Sequence, residues 1–377
     1  VKRPIAGFLH IVVYVGFIII NIEVLEIIID GLFGTHRIGL KVLPESVYGF
    51  LIGSFEILAV LVLLSVVIFW LRRNVIKLKR FLSSEMKGWP KNDGNIILYF
   101  EVVLMCLFLV MNATDTTFQN LGHGNVISQF IAPWFGDNPD TLHIIERTAW
   151  WLHIVGILIF LNYLYFSKHL HILLAFPNTY FGSVEPKGKF NNLEAVTNEV
   201  KLMMDPNADP FAAAPEGAED EEPAKFGASD VMDLNQIQLL NAYTCTECGR
   251  CTSACPANLT GKKLSPRKIM MDTRDRLEEV GKNIDANGGE FKDDGKQLLG
   301  DYITNEELWA CTTCNACVEE CPVSINPLSI ILEMRRYLVM EQSAAPMELN
   351  NMMTNIENNG APWPYNQMDR LNWANED

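Results

Sequence analysis

Two cysteine runs of identical spacing near the C-terminal end constrain this chain more than any other feature. Each run has the pattern C-x2-C-x2-C-x3-C and is followed by a proline. That spacing holds cubane [4Fe–4S] clusters, because three closely spaced thiolates take three corners of one cube and the fourth cysteine reaches a neighbouring cube. The eight cysteines are Cys245, Cys248, Cys251 and Cys255 in the first run, and Cys311, Cys314, Cys317 and Cys321 in the second.

We expect two [4Fe–4S] clusters, each taking its fourth ligand from the opposite run. Cys321 would then complete the cluster of the first run, and Cys255 the cluster of the second. Structural zinc is the main alternative, but zinc takes four ligands in two pairs. That leaves no role for the third cysteine of each run or for the fourth cysteine, which precedes a proline. Disulfide frameworks belong to short secreted chains.

The charge of the chain is unevenly distributed. Through Pro177 there are 13 Lys and Arg against 12 Asp and Glu, whereas from Asn178 on there are 17 against 33. The acidic back half argues against nucleic-acid binding. The length of 377 residues predicts two or three domains. The cysteine runs favour a reducing compartment, and the ninth cysteine, Cys106, is predicted to be a buried structural thiol in an apolar segment.

Four apolar runs are long enough to span a bilayer, for which about 20 residues suffice. They are residues 5–29, 47–71, 96–113 and about 144–176. The loop from Arg72 to Asn95 carries seven Lys and Arg, and the loop from Thr114 to His143 carries none. Positive residues favour the cytoplasmic side. We therefore predict a multi-pass protein in the lipid bilayer of the cytoplasmic (inner) membrane, with its N-terminus and iron–sulfur domain in the cytoplasm.

Histidines in the apolar segments indicate a haem, because unpaired polar groups are costly in a membrane and two histidines at equal depth can supply both axial ligands. His10 lies ~10 Å inside the start of the first helix at 1.5 Å per residue. His171 lies at a similar depth if the fourth helix continues to Phe176. We predict one haem b, held by His10 and His171. His169 points away from His171 on such a helix and is the weaker candidate.

His153 would share the helix face of His171, five turns away. The first helix offers no histidine at that depth, so a second haem at His153 competes with a packed or hydrogen-bonded histidine. Three intramembrane acids, Glu23, Glu26 and Glu56, leave a similar choice open. Their spacing does not separate proton or quinone chemistry from helix capping and interhelical hydrogen bonds.

The predicted fold class is mainly α: a transmembrane helical bundle followed by a cytoplasmic α-helical ferredoxin-like domain that binds two [4Fe–4S] clusters. In sequence order we expect a transmembrane haem b domain (1–177), an amphipathic helix and acidic flexible linker (178–232), a two-cluster ferredoxin-type domain (233–345) and a C-terminal tail that docks a partner (346–377). Start signals predict helices from Pro266 to about Val280, from Thr304 into Cys311, and from Pro327 to about Gln342.

Two parts of the chain resemble known families. The segment Ala6-Gly-Phe-Leu-His10 with Gly16-Phe17, and the stretch from Trp151-Leu-His153 to Ser167-Lys-His-Leu-His171, resemble the haem b domain of the nitrate reductase gamma-subunit type. The cysteine module resembles the iron–sulfur subunit of heterodisulfide reductases. Together they resemble the membrane-bound iron–sulfur oxidoreductases that pass electrons from electron-transfer flavoprotein to quinone.

Three departures qualify what the resemblance implies. The gamma-subunit type carries two haems in five helices, and its second early histidine corresponds here to Ile20. The family usually begins with one more helix, which we expect upstream of Val1. Relatives also continue into a domain with paired Cys-Cys motifs, whose lead-in the segment from Asn355 to Trp373 resembles. We therefore expect a separate Cys-Cys-domain iron–sulfur subunit as a partner.

The resemblance implies an oxidoreductase subunit that takes electrons from electron-transfer flavoprotein, or a similar donor, and passes them through both clusters and haem b to a membrane quinone. No G-x-G-x-x-G motif or phosphate-cradling loop is present, so flavin or nicotinamide chemistry is expected in a partner. Two alternatives remain. One is a heterodisulfide reductase-like or sulfur-metabolising complex with a thiol/disulfide couple, and the other is a non-catalytic relay and anchor.

Overall fold

The computed structural model describes residues 3–186, 188–206 and 225–375, which form an all-α structure. The predicted fold class is confirmed, because long apolar helices fill the N-terminal half and the region of the cysteine runs follows. Backbone contacts divide the chain into two compact units. The membrane unit comprises Val1–Ile172 with Thr246–Cys248, and the cluster unit comprises Leu173–Cys245 with Gly249–Asp377.

The membrane unit contains four helices that are long and apolar enough to cross a bilayer. They are α1 (Pro4–Phe33), α2 (Glu45–Asn74), α3 (Trp89–Thr114) and α4 (Pro139–Leu164). At 1.5 Å per residue they are about 39 to 45 Å long, which exceeds the hydrocarbon core of about 30 Å. A proline lies in the first turn of α1, α3 and α4. A backbone N–H in the first turn has no acceptor within the helix, so the N–H that proline lacks is not needed there.

The four membrane helices pack in sequence order. Helix α1 packs on α2, α2 on α3 and α3 on α4, while α1 meets α4 where the Trp150 side chain lies against Gly31. Glycines allow two of the close approaches. A Cβ at Gly16 of α1 would lie 2.4 Å from the Val62 side chain on α2, and one at Gly156 of α4 would lie 2.9 Å from Leu104 on α3. The arrangement leaves a groove between α1 and α4.

The fourth membrane helix is shorter than the sequence suggested. We expected it to continue to Phe176, and this is wrong: α4 ends at Leu164, and a new helix, α5, begins at His171 and ends at Tyr180. The buried Asp93 carboxylate causes the break, because it accepts hydrogen bonds from Ser167 Oγ at 2.6 Å and from the Lys168 N–H at 3.3 Å. These bonds replace the helical pattern with a turn, so His153 and His171 do not share one helix face.

Cys106 is exposed on the outer face of α3, so the prediction of a buried thiol is wrong. Its neighbours Leu104 and Met105 face the bundle interior instead. In a membrane an apolar side chain needs no protein core, because lipid chains provide an equally apolar environment. The apolar character of the segment therefore did not determine which of its residues are buried.

The cluster unit is built from shorter helices. The longer ones are α6 (Glu194–Met204), α7 (Gln236–Thr244), α8 (Pro266–Ala286), α9 (Pro327–Arg336) and α10 (Met347–Asn359). Short helices cover Arg250–Ala254, Pro256–Leu259, Asn305–Trp309 and Ala316–Glu320. Most of the predicted linker, 207–224, lies outside the described residues.

The predicted helix starts in the cluster unit are confirmed by their caps. Ser265 Oγ accepts from the Lys268 N–H before α8, and Asn326 Oδ1 accepts from the Ser329 N–H before α9. Thr304 and Glu307 form the predicted capping box. Helix α8 runs six residues past its predicted end at Val280, to Ala286. Helix α9 ends at Arg336, and the chain continues in a wider helical turn to Glu341.

A buried arginine holds the cluster unit together beside its apolar core. The Arg276 side chain on α8 is fully buried. Its guanidinium contacts Asp230 at 2.7 Å and Asp294 at 2.5 Å, and it donates to the Lys296 carbonyl at 2.8 Å. Two carboxylates and a carbonyl compensate the loss of hydration of the cation. Arg276 thereby joins α8 to the segments on both sides of it.

Replacing Arg276 with Met should destabilise the cluster unit by about 3 kcal/mol, because Asp230 and Asp294 would lose their common cation. Thermal denaturation of the full chain in detergent, followed by the iron–sulfur absorbance, should show loss roughly 10 °C earlier. Lys263→Ala is the matched control, since it breaks an ion pair with Glu306 whose side chains are both well exposed. Equal behaviour of the two variants would contradict the role given to Arg276.

Candidate functional site: two cysteine loops and a membrane bundle with buried polar groups

The two cysteine loops have the same backbone conformation. In the first, Glu247 and Gly249 have positive φ angles of 54° and 71°. In the second, Thr313 and Asn315 occupy the same two motif positions with 54° and 59°. Left-handed conformations are costly for residues other than glycine and persist where the surroundings or a ligand require them. Their repetition indicates that both loops are shaped for the same ligand.

A short helix follows the first three cysteines of each loop. These helices, Arg250–Ala254 and Ala316–Glu320, pack on each other. Each ends at the fourth cysteine of its run, Cys255 or Cys321, which is extended and precedes a proline. The pairing of the helices therefore carries the fourth cysteine of the first run towards the loop of the second.

Cys255 lies close enough to Cys311 and Cys317 to interact with them electrostatically, as does Cys314. This is the ligand set predicted for the second cluster. The Thr313 N–H donates to Cys311 Sγ at 3.4 Å, and the Ile325 N–H donates to Cys321 Sγ at 3.3 Å. Amides directed at sulfur stabilise thiolate ligands. Four thiols converging from two loops with such amides fit a cubane cluster.

The eight cysteines differ in exposure. Cys245, Cys255 and Cys317 are buried, Cys314 is exposed, and Cys248, Cys251, Cys311 and Cys321 are intermediate. Burial raises the pKa of the Cys317 thiol to about 12, and burial also raises the pKa of Cys311. These cysteines are neutral thiols until a metal binds, so cluster insertion must release their protons.

Arg335 supports the second loop and was not identified from the sequence. Its guanidinium donates to the Leu308 carbonyl at 2.6 Å and to the Cys311 carbonyl at 2.5 Å. It also lies 4.8 Å from the centre of the Trp309 ring. The arginine thus fixes the chain where it enters the loop. The only signal in the sequence was a basic residue near the end of α9.

Cross-ligation makes a specific prediction about iron content and spectra. Wild type should carry about eight iron atoms in two cubanes besides any haem iron. Cys321→Ser should damage the first cluster and Cys255→Ser the second, as seen by iron analysis and electron paramagnetic resonance of the reduced protein. Cys106→Ser, outside both loops, is the control. If Cys321→Ser removed only the second cluster, the exchange of ligands would be disproved.

Three histidines come together in the membrane unit. His10 on α1 and His171 at the start of α5 lie close enough to interact electrostatically, and His169 interacts with both. His171 Nδ1 lies 3.1 Å from the Lys168 carbonyl, which requires the proton on Nδ1 and leaves the lone pair on Nε2. The sequence argument had set His169 apart by assuming one continuous helix. The turn before α5 removes that argument, and His169 packs against His171 at 5.5 Å between ring centres.

A haem in the membrane unit would be held by His10 and His171. His10 is exposed on the surface of α1, where a prosthetic group could cover it, and the His171 ring is oriented by a backbone carbonyl as metal-binding imidazoles are. His153 is separate from this group. It is buried on α4, and its Nδ1 lies 3.1 Å from the Leu104 carbonyl. His153 therefore makes the hydrogen bond expected if it is a packed histidine and not a haem ligand. Its Nε2 is still available.

Two of the three predicted intramembrane acids have structural partners. Glu26 accepts hydrogen bonds from the Gly39 N–H and from the Tyr48 hydroxyl. Glu56 accepts from the backbone N–H groups of Ile127 and Ser128. Both carboxylates therefore tie loops to helices. Glu23 is buried, and its Oε2 has no hydrogen-bond partner in the described part of the chain.

A charged network closes one end of the bundle. Ligand atoms of His36, Asp115 and Glu146 lie within 4.8 Å of one another. Each carboxylate is already paired with a guanidinium, Asp115 with Arg37 at 2.5 Å and Glu146 with Arg147. The hydrogen bond to Asp115 raises the pKa of His36. Burial acts to raise the pKa of Asp115, but the hydrogen bonds from His36 and Arg37 outweigh it and lower that pKa. The network satisfies its own charges and functions as a structural tie.

A bundle of membrane-length helices joined to two cluster-binding loops defines a membrane-anchored iron–sulfur protein of the two-cluster type. Comparison with known families agrees: residues 244–325 match the 4Fe-4S dicluster domain. No solved structure matches the chain.

Several curated proteins are similar to this chain. A probable iron-sulfur-binding oxidoreductase, FadF of Bacillus subtilis, is 30% identical over the whole chain and 53% of its own length. The EtfAB:quinone oxidoreductase of Syntrophomonas wolfei is 27% identical over the whole chain and 52% of its length. One component of the ferredoxin/F420H2-dependent CoB-CoM heterodisulfide reductase of Methanosarcina acetivorans is 34% identical over 32% of the chain and 60% of its length.

This protein is therefore a membrane-anchored 4Fe-4S dicluster protein related to these oxidoreductases and to heterodisulfide reductase subunits. The chain spans about half the length of the first two relatives.

Proposed function

We propose that this chain carries electrons between a soluble donor and a membrane quinone. The observation that supports this most directly is the combination, in one chain, of two cluster-binding loops and four membrane-length helices. The same combination extends along the whole match to a relative named EtfAB:quinone oxidoreductase. By analogy with that name, the donor is electron-transfer flavoprotein and the acceptor is a quinone.

Two [4Fe–4S] clusters and one haem b would supply one-electron carriers. Cys245, Cys248, Cys251 and Cys321 would hold the first cluster, and Cys311, Cys314, Cys317 and Cys255 the second. His10 and His171 would hold the haem, supported by the fixed tautomer of His171. Ile20 occupies the position at which a second haem would require a histidine.

The chain would lie with its N-terminus and cluster unit in the cytoplasm. The support is the asymmetry of basic residues, since seven Lys and Arg lie between Arg72 and Asn95 and none between Thr114 and His143. A reducing compartment also suits thiolate ligands. The membrane is then the cytoplasmic (inner) membrane.

The donor would dock on the acidic part of the chain. From Asn178 on there are 33 acids against 17 bases, so a donor surface rich in basic residues is complementary. Encounter should weaken with salt, because exposed charges are screened within about 8–10 Å at physiological ionic strength.

The second candidate is a thiol/disulfide couple as the redox partner. It is favoured by the similarity of about a third of the chain to one component of a heterodisulfide reductase. That similarity does not cover the whole chain, whereas the match to the quinone oxidoreductase does. We therefore place it second.

The haem assignment can be tested by substituting single histidines. Reduced-minus-oxidised spectra should show one low-spin b-type haem that is lost in His10→Ala and in His171→Ala, because each variant lacks an axial ligand. His169→Ala should keep it, because His10 and His171 both remain, and His143→Ala, at an exposed position of α4 outside these three histidines, is the control. Loss in His169→Ala with retention in His171→Ala would assign the second ligand to His169 instead.

The donor can be tested with the complex purified from membranes in mild detergent. Reduced electron-transfer flavoprotein should drive quinone reduction by the complex, at a rate that falls as salt is raised. A dithiol donor should not replace the flavoprotein. Activity with the dithiol alone would move the protein to the heterodisulfide reductase-like class, and full activity of the isolated chain would show that no Cys-Cys-domain subunit is needed.

A further inference from the structure

The groove between α1 and α4 contains polar groups that the bundle does not use. Val62 on α2 and Leu104 on α3 also line it. The cavity volume is about 60 Å³, so the groove holds part of a flat ring and the rest of a bound molecule lies in its open side. The groove reaches the outer surface of the bundle at Leu161, which is 52% exposed. In a membrane that surface faces lipid, so an apolar molecule can enter the groove laterally.

Glu101 is the first unexplained polar group in the groove. It is half-buried at the middle of α3, and it makes neither a hydrogen bond nor an ion pair with the described residues. An acidic side chain at mid-membrane depth is costly and is retained mainly where it serves a ligand or a proton. The sequence pattern did not single out Glu101, because the sequence does not show which side of the helix a single acid in an apolar run faces.

Asn21 and His153 face the same groove from its two sides. The Asn21 amide donates to the Phe17 carbonyl, which leaves its Oδ1 without a partner among the described residues. His153 uses Nδ1 towards the Leu104 carbonyl, which leaves Nε2. Three unused polar atoms, one from each of α1, α3 and α4, thus converge on a largely apolar cavity.

We propose that this groove binds the headgroup of the membrane quinone, an inference that rests on the proposed function. A quinone is a flat apolar ring with two carbonyl oxygens, and on reduction it becomes a diol that donates two hydrogen bonds. The apolar walls suit the ring. Glu101 can donate to a carbonyl when protonated, while Asn21 Oδ1 and His153 Nε2 can accept from the reduced form. The lipid-facing opening suits the isoprenoid tail.

The composition of the groove argues against a second haem at His153. A haem carries two propionate groups that require cations or water, and none of the described residues that line the groove is Lys or Arg. Glu101 would instead repel them. The buried Ile20 on α1 also supplies no axial ligand. A lipid chain alone would fill the space but would leave all three polar atoms without hydrogen bonds.

The test is equilibrium binding of a radiolabelled short-chain naphthoquinone, and separately of its dithionite-reduced quinol, to the purified full chain in lipid nanodiscs. Glu101→Leu should bind the quinone about tenfold more weakly, the loss expected for one buried hydrogen bond. Asn21→Leu should bind the quinol about tenfold more weakly and the quinone like wild type, because Asn21 Oδ1 only accepts hydrogen bonds. Glu101→Gln should stay within about threefold of wild type, because its amide still donates.

Asn162→Leu is the matched control for Asn21→Leu. Asn162 on α4 also donates its amide to the carbonyl four residues earlier, at 2.8 Å, but it is exposed and does not line the groove. It should bind both the naphthoquinone and its quinol like wild type. Haem content, measured in each variant, separates an effect on binding from a general loss of structure.

The outcomes separate this inference from the proposed function. If wild type binds and reduces naphthoquinone but Glu101→Leu binds the quinone normally and Asn21→Leu binds the quinol normally, the groove is not the site and the function stands. If His153→Phe removes a haem signal, the groove holds a haem and the inference is wrong. If binding depends on Glu101 but electron-transfer flavoprotein fails as donor, the site stands and the donor must be replaced.

Discussion

The two cysteine loops depend on the geometry of four thiolates around a cube. Each loop adopts left-handed backbone at equivalent positions, Glu247 and Gly249 in one and Thr313 and Asn315 in the other. The short helices that follow pack together and bring Cys255 to the second loop. Such loops gain little from local propensity, so their stability is linked to cluster binding. Arg335 stabilises the surrounding chain through a hydrogen bond to the Cys311 carbonyl, and Arg276 does so through its ion pair with Asp230.

The membrane unit shows the difference between polar groups that hold a fold and polar groups that remain for a ligand. Glu26, Glu56 and Asp115 are all bonded within the protein, and each connects a loop to a helix. Glu101 has no such partner among the described residues and faces a groove that is open to lipid. Because both kinds of residue look alike in sequence, only their contacts distinguish a structural tie from a candidate site.

Much of this could be predicted from sequence, because the signals were local. The membrane helices, the helix starts at Pro266, Thr304 and Pro327, and the dicluster region follow from apolar length, caps and cysteine spacing. The end of α4 could not be predicted, since it depends on Asp93, about 74 residues away from Ser167. For the same reason the sequence argument paired only His10 and His171 and missed that His169 joins them.

The central claim is that one chain connects iron–sulfur clusters to a membrane quinone, and rapid-freeze electron paramagnetic resonance tests it most directly. The full chain in lipid vesicles would be reduced with dithionite, freed of excess reductant and mixed with a naphthoquinone. The account predicts that the reduced-cluster signals disappear as quinol forms, in the stoichiometry of two electrons per quinone. Clusters that stay reduced in the presence of bound naphthoquinone would contradict it.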